Sequence, residues 1–314
     1  MVTPLPNFLI LGAQKSGTTA LYQYLKQHPD IFMPELKKEP NFLAFDGRSP
    51  EYFEPDGSPS PINWVAVTSL DEYVGLFDGW RGEKRVGEAS TQYLYLAESV
   101  IGIQHRVPDA KLLAILRNPV DRAYSAFLHA VRDGREPELD FERALGLEAD
   151  RIEQRCGFIF RYRDMGLYSQ QLKRYFEAFE RNRIRVLIYD DFARDPVATL
   201  REIFSFLEVD PDFTPNLRRR PNQSGVPRSR FLHSVVSAKG VLRWLWRGVP
   251  RSTKRFLPRA YFKRAVGDVL HRNLTKPSLT SEIRARLTED FRPDVLALER
   301  LLERNLSMWL IDGG

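Results

Sequence analysis

The chain has 314 residues, 43% of them hydrophobic and 28% charged, so it can bury a large core and is not globally disordered. Its 47 Lys and Arg residues against 41 Asp and Glu residues give a net charge of +6. The single cysteine excludes a disulfide framework, a cysteine zinc site and an iron–sulfur cluster. No apolar run approaches the ~20 residues that span a bilayer. Few residues precede the first apolar run, so no secretory signal is expected and the expected location is cytoplasmic.

The positive charge is concentrated in one segment. Residues 218–264 contain 14 Lys and Arg and no Asp or Glu, whereas the rest of the chain holds 33 basic and 41 acidic residues. Apolar side chains recur at helical spacing over residues 230–248, which predicts a basic, mostly helical elaboration, about 218–275, of one domain spanning 1–314. Three interpretations stay open: a packed helix with solvated arginines, a binding surface for an anionic glycan, or peripheral contact with a membrane. Nucleic acid is not an expected partner, because the charge is local and no nucleic-acid-binding module is present.

Apolar strands and amphipathic helices alternate along the chain. The predicted strands are residues 7–11, 111–116 and 184–189, and the predicted helices are 18–28, one beginning at 119, 168–181, 195–207, and 280–305 with a break or restart at Pro293. Residues 46–63 are rich in Pro, Gly and Ser and predict a loop. This alternation predicts an α/β fold with a parallel sheet flanked by helices.

The segment between the first strand and the first helix has the spacing of a phosphate-binding loop. Residues 12–19 read G-A-Q-K-S-G-T-T, and such small residues let backbone N–H groups and a helix N-terminus face an anion. Nucleotide-hydrolysing P-loops carry lysine where this chain has Thr18, and here the lysine comes three residues earlier, at Lys15. This displacement disfavours a P-loop kinase or NTPase.

A second strand–loop–helix unit ends its strand at Arg117. Residues 118–121 have the composition of a helix start: an asparagine N-cap, a proline at the first helical position and an acid in the first turn. A helix that starts there places Arg122, Ser125 and His129 on one face. Arg117 and Ser125 could then hold one phosphate, since ligands gather at the carboxyl ends of parallel strands. The alternative is a structural ion pair for Arg117 and packing for Ser125.

Both units resemble the cofactor motifs of sulfotransferases that use 3′-phosphoadenosine-5′-phosphosulfate (PAPS), especially the heparan-sulfate and bacterial carbohydrate type. In that family the first motif holds the 5′-phosphosulfate, and the second, R-[ND]-P-x-x-R-x-x-S, holds the 3′-phosphate. The resemblance implies a P-loop-like sheet, PAPS as donor, adenosine-3′,5′-diphosphate as product, and no metal. It also implies a catalytic role for the loop lysine, which supports the transferring sulfonate. The implied cofactor-binding residues are Lys15, Ser16, Gly17, Thr18, Thr19, Arg117, Ser125 and, from a weaker match, Arg228.

Residues 37–42, K-K-E-P-N-F, resemble the family's K-E-x-x-F segment. In the family this glutamate takes the proton from the acceptor hydroxyl, so the resemblance makes Glu39 the catalytic base. Such a group is needed because proton removal makes the alcohol a better nucleophile. Relatives often have histidine where this chain has Asn41, which excludes a histidine base there and predicts an amide contact to the acceptor instead.

The segment 87–93 resembles a region that supplies a second catalytic lysine in animal heparan-sulfate enzymes. Ala89 stands at that lysine position, which leaves two alternatives: Lys15 suffices, or Lys38 substitutes for the missing lysine. Glu88 is expected either to contact the acceptor or Lys15, or to be a buried acid at the end of a strand.

Together these patterns predict an O-sulfotransferase that moves a sulfonate from PAPS to a hydroxyl of a carbohydrate or glycolipid. An alternative acceptor is a carrier-bound or small-molecule alcohol, and the alternative class is a P-loop kinase or NTPase. A kinase needs acids that bind Mg²⁺. Asp190 and Asp191 end the third predicted strand, but the equivalent stretch is structural in sulfotransferases, so they are interpreted as caps or loop partners.

Overall fold

The computed structural model describes residues 3–217, 226–227, 274–275 and 277–311. Its main sheet contains β1 (Phe8–Gly12), β2 (Ile31–Phe32), β3 (Arg85–Ala89), β4 (Lys111–Leu116) and β5 (Ile184–Ile188). Within those residues the five strands are parallel and ordered β2-β3-β1-β4-β5. A separate antiparallel pair joins β6 (Val226–Pro227) to β7 (Leu274–Thr275). The predicted parallel sheet with flanking helices is confirmed, whereas almost all of the predicted basic elaboration lies outside the described residues.

Helices cover both faces of the sheet. They are α1 (Thr18–Leu25), α2 (Phe42–Phe45), α3 (Ile62–Val65), α4 (Leu70–Gly75), α5 (Glu98–Arg106), α6 (Pro119–Arg132), α7 (Phe141–Gly146), α8 (Glu148–Glu153), α9 (Tyr168–Ala178), α10 (Tyr189–Arg194), α11 (Pro196–Phe206) and α12 (Ser281–Leu302). Short 3₁₀ turns occupy Phe158–Phe160, Asp164–Gly166, Arg181–Arg183 and Ser307–Trp309. Among the described residues, no helix is long and apolar enough to cross a membrane.

The predicted break at Pro293 is wrong, because α12 continues through this proline. Buried side chains lie on both sides of it, among them Phe291 and Val295, and both belong to the main hydrophobic core. A proline inside a helix removes one backbone hydrogen bond and disfavours the turn before it. Packing of both halves on the same core outweighs that local cost.

The central strands alternate their side chains between two cores. One core takes Leu9, Leu11, Leu112, Ala114 and Leu116 together with α2, α5, α6, α9 and α12. The other takes Phe8, Ile10, Leu113 and Ile115 together with α1 and α11. Burial on both faces explains why these strands are nearly continuous apolar runs rather than alternating ones.

Strands β1 and β4 are neighbours, and both lead directly into a helix. The turn after β4 is fixed as its sequence predicts: the Asn118 side chain accepts hydrogen bonds from the backbone N–H groups of Val120 (2.9 Å) and Asp121 (3.3 Å). The chain reaches β2 and β3 on one side of β1, and β4 and β5 on the other. The carboxyl ends of β1 and β4 therefore form a switch point, the usual place for a ligand in such sheets.

Helix α5 packs so closely on α2 that only glycine fits at the crossing. A Cβ on Gly102 would lie 1.9 Å from the carbonyl oxygen of Leu43. Because backbone atoms cannot move aside as a side chain does, Gly102→Ala should lower the free energy of unfolding in urea by roughly 1–3 kcal/mol or more. Gly146→Ala is the control, since nothing lies within 4 Å of the added Cβ, and it should change stability by less than about 0.5 kcal/mol. Equal effects at the two positions would contradict this account of the packing.

Candidate active site

The loop after β1 owes its shape to two glycines. Gly12 has φ +144°, and a Cβ there would lie 2.9 Å from the Thr91 carbonyl oxygen. Gly17 has φ +92°, and a Cβ there would lie 3.0 Å from the Tyr189 ring. Both the backbone conformation and the close neighbours thus require glycine at these positions. Gly17 also precedes α1, whose first-turn N–H groups have no partner within the helix.

A cavity of ≈ 360 Å³ opens beside this loop. Its walls are Gln14, Lys15, Gly17, Thr18, Thr19, Ala20, Tyr24, Glu39, Thr91, Arg117, Ser125, His129, Tyr189, Phe192, Ala193 and Pro196. Seven of the residues predicted from the sequence are therefore brought together. Ser16 is the exception among the described ones: it is fully buried behind the loop and its N–H donates to the Ala13 carbonyl at 3.3 Å. Arg228 lies outside the described residues.

Glu39 is held at the cavity wall through both carboxylate oxygens. The Thr91 hydroxyl donates to Oε2 at 3.0 Å, and Lys38 Nζ donates to Oε1 at 2.9 Å. The Asn41 side-chain amide donates to the Glu39 carbonyl at 3.1 Å. Asn41 itself is buried and does not line the cavity. The expected amide contact to an acceptor is therefore replaced by a contact that fixes the backbone of Glu39.

Lys15 lies among like charges. Burial lowers its pKa to about 8, with contributions from Arg132 and Arg117, while Asp133 opposes the shift. Arg117 Nη1 donates to the Lys15 carbonyl at 3.3 Å, and its guanidinium lies 5.0 Å from the centre of the Tyr189 ring. Asp133 and Glu39 offset the shift only in part, and a buried cation beside other cations favours an anionic ligand.

Helix α6 brings Ser125 and His129 to the cavity, as their spacing predicts. Burial, together with the charge of Lys15, lowers the pKa of His129 to about 3, so this imidazole is neutral near pH 7. Arg122, on the same predicted face, is fully buried instead and donates to the backbone carbonyls of Tyr162 and Arg161. Arg122 therefore ties α6 to the body of the protein and does not line the cavity.

Glu88 is a buried acid at the end of strand β3, which is the second of the two alternatives expected from the sequence. Its carboxylate accepts hydrogen bonds from the Tyr73 hydroxyl (3.4 Å) and the Ser90 hydroxyl (2.9 Å), and it does not line the cavity. Burial raises the pKa of Glu88 to about 7. Ser90 Oγ also accepts a hydrogen bond from the Asn41 N–H at 2.9 Å. This buried network therefore holds in place the segment that carries Glu39.

The apolar end of the cavity was not predicted. It is built from Tyr24 and Ala20 of α1 and from Tyr189, Phe192 and Ala193 of α10. The available signal was the aromatic residues at and just after the end of the third predicted strand, Tyr189 and Phe192, because a strand's carboxyl end and the helix after it face the ligand in such folds. Thr91 and Gln14 were missed as well: Gln14 precedes Lys15, and Thr91 lies in the segment 87–93.

Asp190 and Asp191 are engaged outside the cavity, but as residues of the first turn of α10 rather than as caps. Asp190 accepts from the Trp309 indole N–H at 2.9 Å. Asp191 accepts from Arg194 at 2.8 Å and also from Arg304. In the described ranges, no three or more His, Cys, Asp or Glu side chains cluster as metal ligands would.

The family described as "Sulfotransferase domain" matches residues 5–220, a span that contains the loop, Glu39, Arg117 and Ser125. The chain belongs to the sulfotransferase family. The crystal structure of a sulfotransferase from Alicyclobacillus acidocaldarius is 35% identical, with a TM-score of 0.73, and the match covers 98% of this chain and 99% of that one. The predicted family and P-loop-like fold are thereby confirmed for this sulfotransferase.

Curated relatives match over a shorter region. The mouse protein "Bifunctional heparan sulfate N-deacetylase/N-sulfotransferase 4" is 27% identical over 224 residues, which is 67% of this chain and 23% of the relative. The Dictyostelium discoideum protein "Membrane-associated sulfotransferase kil1" is 30% identical over 154 residues, which is 48% of this chain and 29% of the relative. The matched region of this sulfotransferase thus spans about a quarter of the length of these relatives.

The buried carboxyl of Glu88 should make stability depend on pH. An exposed glutamate has a pKa of roughly 4.3, so between that value and about 7 the unfolded chain releases a proton that the folded protein keeps. The free energy of unfolding should therefore fall as pH rises through this window, by up to about 4 kcal/mol from this group. Glu88→Gln removes the titration, so urea unfolding from pH 5 to 8 should show a flatter dependence.

The matched control is Glu153→Gln at an exposed glutamate of α8, which should keep the wild-type dependence. Wild type and Glu88→Gln with parallel curves over this range would show that Glu88 does not hold its proton in the folded protein.

Proposed function

We propose that this sulfotransferase binds PAPS and transfers its sulfonate to a hydroxyl of a carbohydrate or glycolipid, with Glu39 as the base. One observation carries the proposal: a single cavity joins two anion sites to a carboxylate. The first site is the loop with Lys15, and the second is Arg117 with Ser125. PAPS carries anionic groups at both its 5′ and 3′ positions, whereas ATP carries no 3′-phosphate.

The cavity suits an adenosine nucleotide in its polarity as well as its charge. Lys15 is buried beside Arg132 and Arg117, whose charges together with its desolvation outweigh those of Asp133 and Glu39, so bound phosphates would relieve the repulsion among these cations. The aromatic rings of Tyr24, Tyr189 and Phe192 line the apolar end, and such rings provide faces for a purine base. These features support adenosine-3′,5′-diphosphate as the product that remains after transfer.

Glu39 is proposed to accept the proton of the acceptor hydroxyl. As the hydroxyl oxygen forms its bond to sulfur, the bond between sulfur and the bridging oxygen breaks, and adenosine-3′,5′-diphosphate leaves with the electron pair. Lys15 offsets the charge that develops on the bridging oxygen. Thr91 keeps the carboxylate of Glu39 directed at the cavity through its 3.0 Å hydrogen bond.

A glycan amine is the second candidate acceptor, because the mouse relative is named as an N-sulfotransferase. Glu39 could accept a proton from an amine as it does from a hydroxyl, so the linkage in the product decides between them. A carrier-bound or small-molecule alcohol is the further alternative.

A cytoplasmic location with peripheral membrane contact is also proposed, and the name of the Dictyostelium relative supports the membrane part.

The structure offers little support for a kinase or NTPase. Thr18 occupies the position of the Walker lysine. The two acids that follow β5, Asp190 and Asp191, are engaged by Trp309 and by arginines rather than lining the cavity. The family assignment and these contacts together favour sulfonate transfer over phosphoryl transfer.

Nucleotide binding tests the donor. Adenosine-3′,5′-diphosphate should bind more tightly than AMP without any metal, because only the former has a 3′-phosphate for Arg117 and Ser125. Arg117→Ala removes a charge-assisted pair of hydrogen bonds, so it should weaken binding of the diphosphate by roughly 30- to 1000-fold. Calorimetric titration of both proteins with both nucleotides, and with ATP plus Mg²⁺, measures this. Equal affinity of the wild type for AMP and the diphosphate would contradict PAPS as donor.

Turnover tests the base. Glu39→Gln keeps the size of the side chain but cannot accept the proton, so kcat should fall about 10²- to 10⁴-fold while affinity for adenosine-3′,5′-diphosphate stays unchanged. Transfer from labelled PAPS to desulfated heparin is the assay, with the product linkage read by NMR. Glu35→Gln is the control, because Glu35 is exposed and pairs with Lys26. Near-normal turnover of Glu39→Gln would place the base elsewhere.

A further inference from the structure

Lys38 connects the phosphate-binding loop to the candidate base. Its Nζ donates to Thr18 Oγ1 at 3.3 Å, to Thr19 Oγ1 at 3.2 Å and to Glu39 Oε1 at 2.9 Å. All three partners line the cavity. The Lys38 side chain is 21% exposed, so its charge is largely shielded from water. The ammonium therefore lies between the start of α1 and the carboxylate.

This placement is electrostatically unfavourable for a purely structural lysine. The N-terminus of a helix carries a partial positive charge, which attracts anions and repels cations. The first turn of α1 contains no acidic residue to offset it. Glu39, which is half-exposed, is the carboxylate paired with Lys38. The charge of a cation held against a helix N-terminus by two neutral hydroxyls is stabilised when an anion binds beside it.

The neighbouring lysine shows what an ordinary surface pairing looks like in the same loop. Lys37 Nζ forms an ion pair with Glu72 at 3.2 Å, and the Glu72 side chain is 55% exposed. Neither lysine is itself among the residues that line the cavity, and their side chains are similarly exposed, 27% for Lys37 and 21% for Lys38. The two lysines differ in their partners: Lys37 pairs with Glu72, whereas the partners of Lys38 line the cavity.

Lys15 and Lys38 share one charged neighbour, Glu39, and otherwise lie among different groups. The charges that shift the pKa of Lys15 are those of Arg132, Asp133, Arg117 and Glu39, whereas Lys38 contacts the side chains that begin α1 and the Glu39 carboxylate. An anion in the loop would therefore meet one cation from the loop itself and another from the segment that carries Glu39.

We infer that Lys38 is a second cation of the 5′-phosphosulfate site, beside Lys15. The inference rests on the proposed function. During transfer the Glu39 carboxylate and the anionic donor must lie close together, and a cation between them offsets their repulsion. As the sulfur–oxygen bond breaks and the electron pair goes to the bridging oxygen, the Lys38 ammonium stabilises the resulting charge without giving up a proton.

Binding of two nucleotides tests whether Lys38 contacts the 5′-phosphate. Adenosine-3′,5′-diphosphate and adenosine-3′-phosphate differ only in the 5′-phosphate. Lys38→Met should weaken binding of the diphosphate roughly 10- to 100-fold, the usual effect of losing a charge-assisted hydrogen bond. It should leave the affinity for the 3′-phosphate unchanged. Lys37→Met, the matched control, should change neither affinity.

Turnover then separates Lys38 from Glu39. Lys38→Met should lower both kcat and affinity for the diphosphate, whereas Glu39→Gln should lower kcat alone. Lys38→Arg keeps the charge and should recover part of both quantities. Thermal unfolding of each variant checks that the fold is intact.

Two results would overturn the inference. In the first, Lys38→Met binds the diphosphate as tightly as wild type, which would make Lys38 only a partner of Glu39. In the second, it weakens both nucleotides equally, which would show a general effect on the cavity. Wild type that does not distinguish the two nucleotides would overturn the proposed function itself, a failure visible before any variant is made.

Discussion

The parallel pairing of β1 with β4 determines where the site can form. The backbone N–H of Ala13 donates to the Ile115 carbonyl at 2.8 Å, just where the loop leaves the sheet. This pairing brings Arg117 within a hydrogen bond of the Lys15 carbonyl, although the two residues are 102 positions apart. The two anion sites therefore share one edge of the sheet because two strands share one ladder. Every other wall of the cavity is added around that edge.

The cost of this arrangement is buried positive charge. Burial lowers the pKa of Lys15 to about 8, because desolvation and the charges of Arg132 and Arg117 outweigh those of Asp133 and Glu39. Lys38 lies against the start of a helix that has no acid in its first turn, with Glu39 as its paired carboxylate. Such charges destabilise the free protein and favour an anionic ligand, a compromise that is common at functional sites. The site is thus prepared for its ligand at the expense of stability.

Local sequence patterns were sufficient to predict the structure wherever a short segment fixes its own conformation. The glycine spacing of residues 12–19 and the Asn118 cap depend on neighbours in the chain, and both could be predicted. Glu39 and Ser125, which the resemblance to sulfotransferases singled out, both line the cavity. Packing between distant segments could not be predicted in this way, and two misjudged residues show why. The tertiary core decides whether α12 passes through Pro293, and burial beside Ser90 decides that Asn41 faces inward.

The same limit applies to the partners of Glu39. Nothing local to residues 37–42 shows that Lys38 reaches α1 while Lys37 reaches Glu72. Likewise, the apolar end of the cavity combines α1 with α10, which follow different strands. Periodicity assigns a residue to a face of its own helix, but the neighbour that meets this face is set by the three-dimensional fold.

Thr91 takes part in both halves of the site. Its carbonyl oxygen closes on Gly12, where a Cβ would come within 2.9 Å, and its hydroxyl holds Glu39 at 3.0 Å. The loop after β1 and the Glu39 carboxylate are thus both positioned by one residue rather than by each other. For protein engineering this makes residue 91 a point at which an insertion or deletion would displace the loop and the carboxylate together.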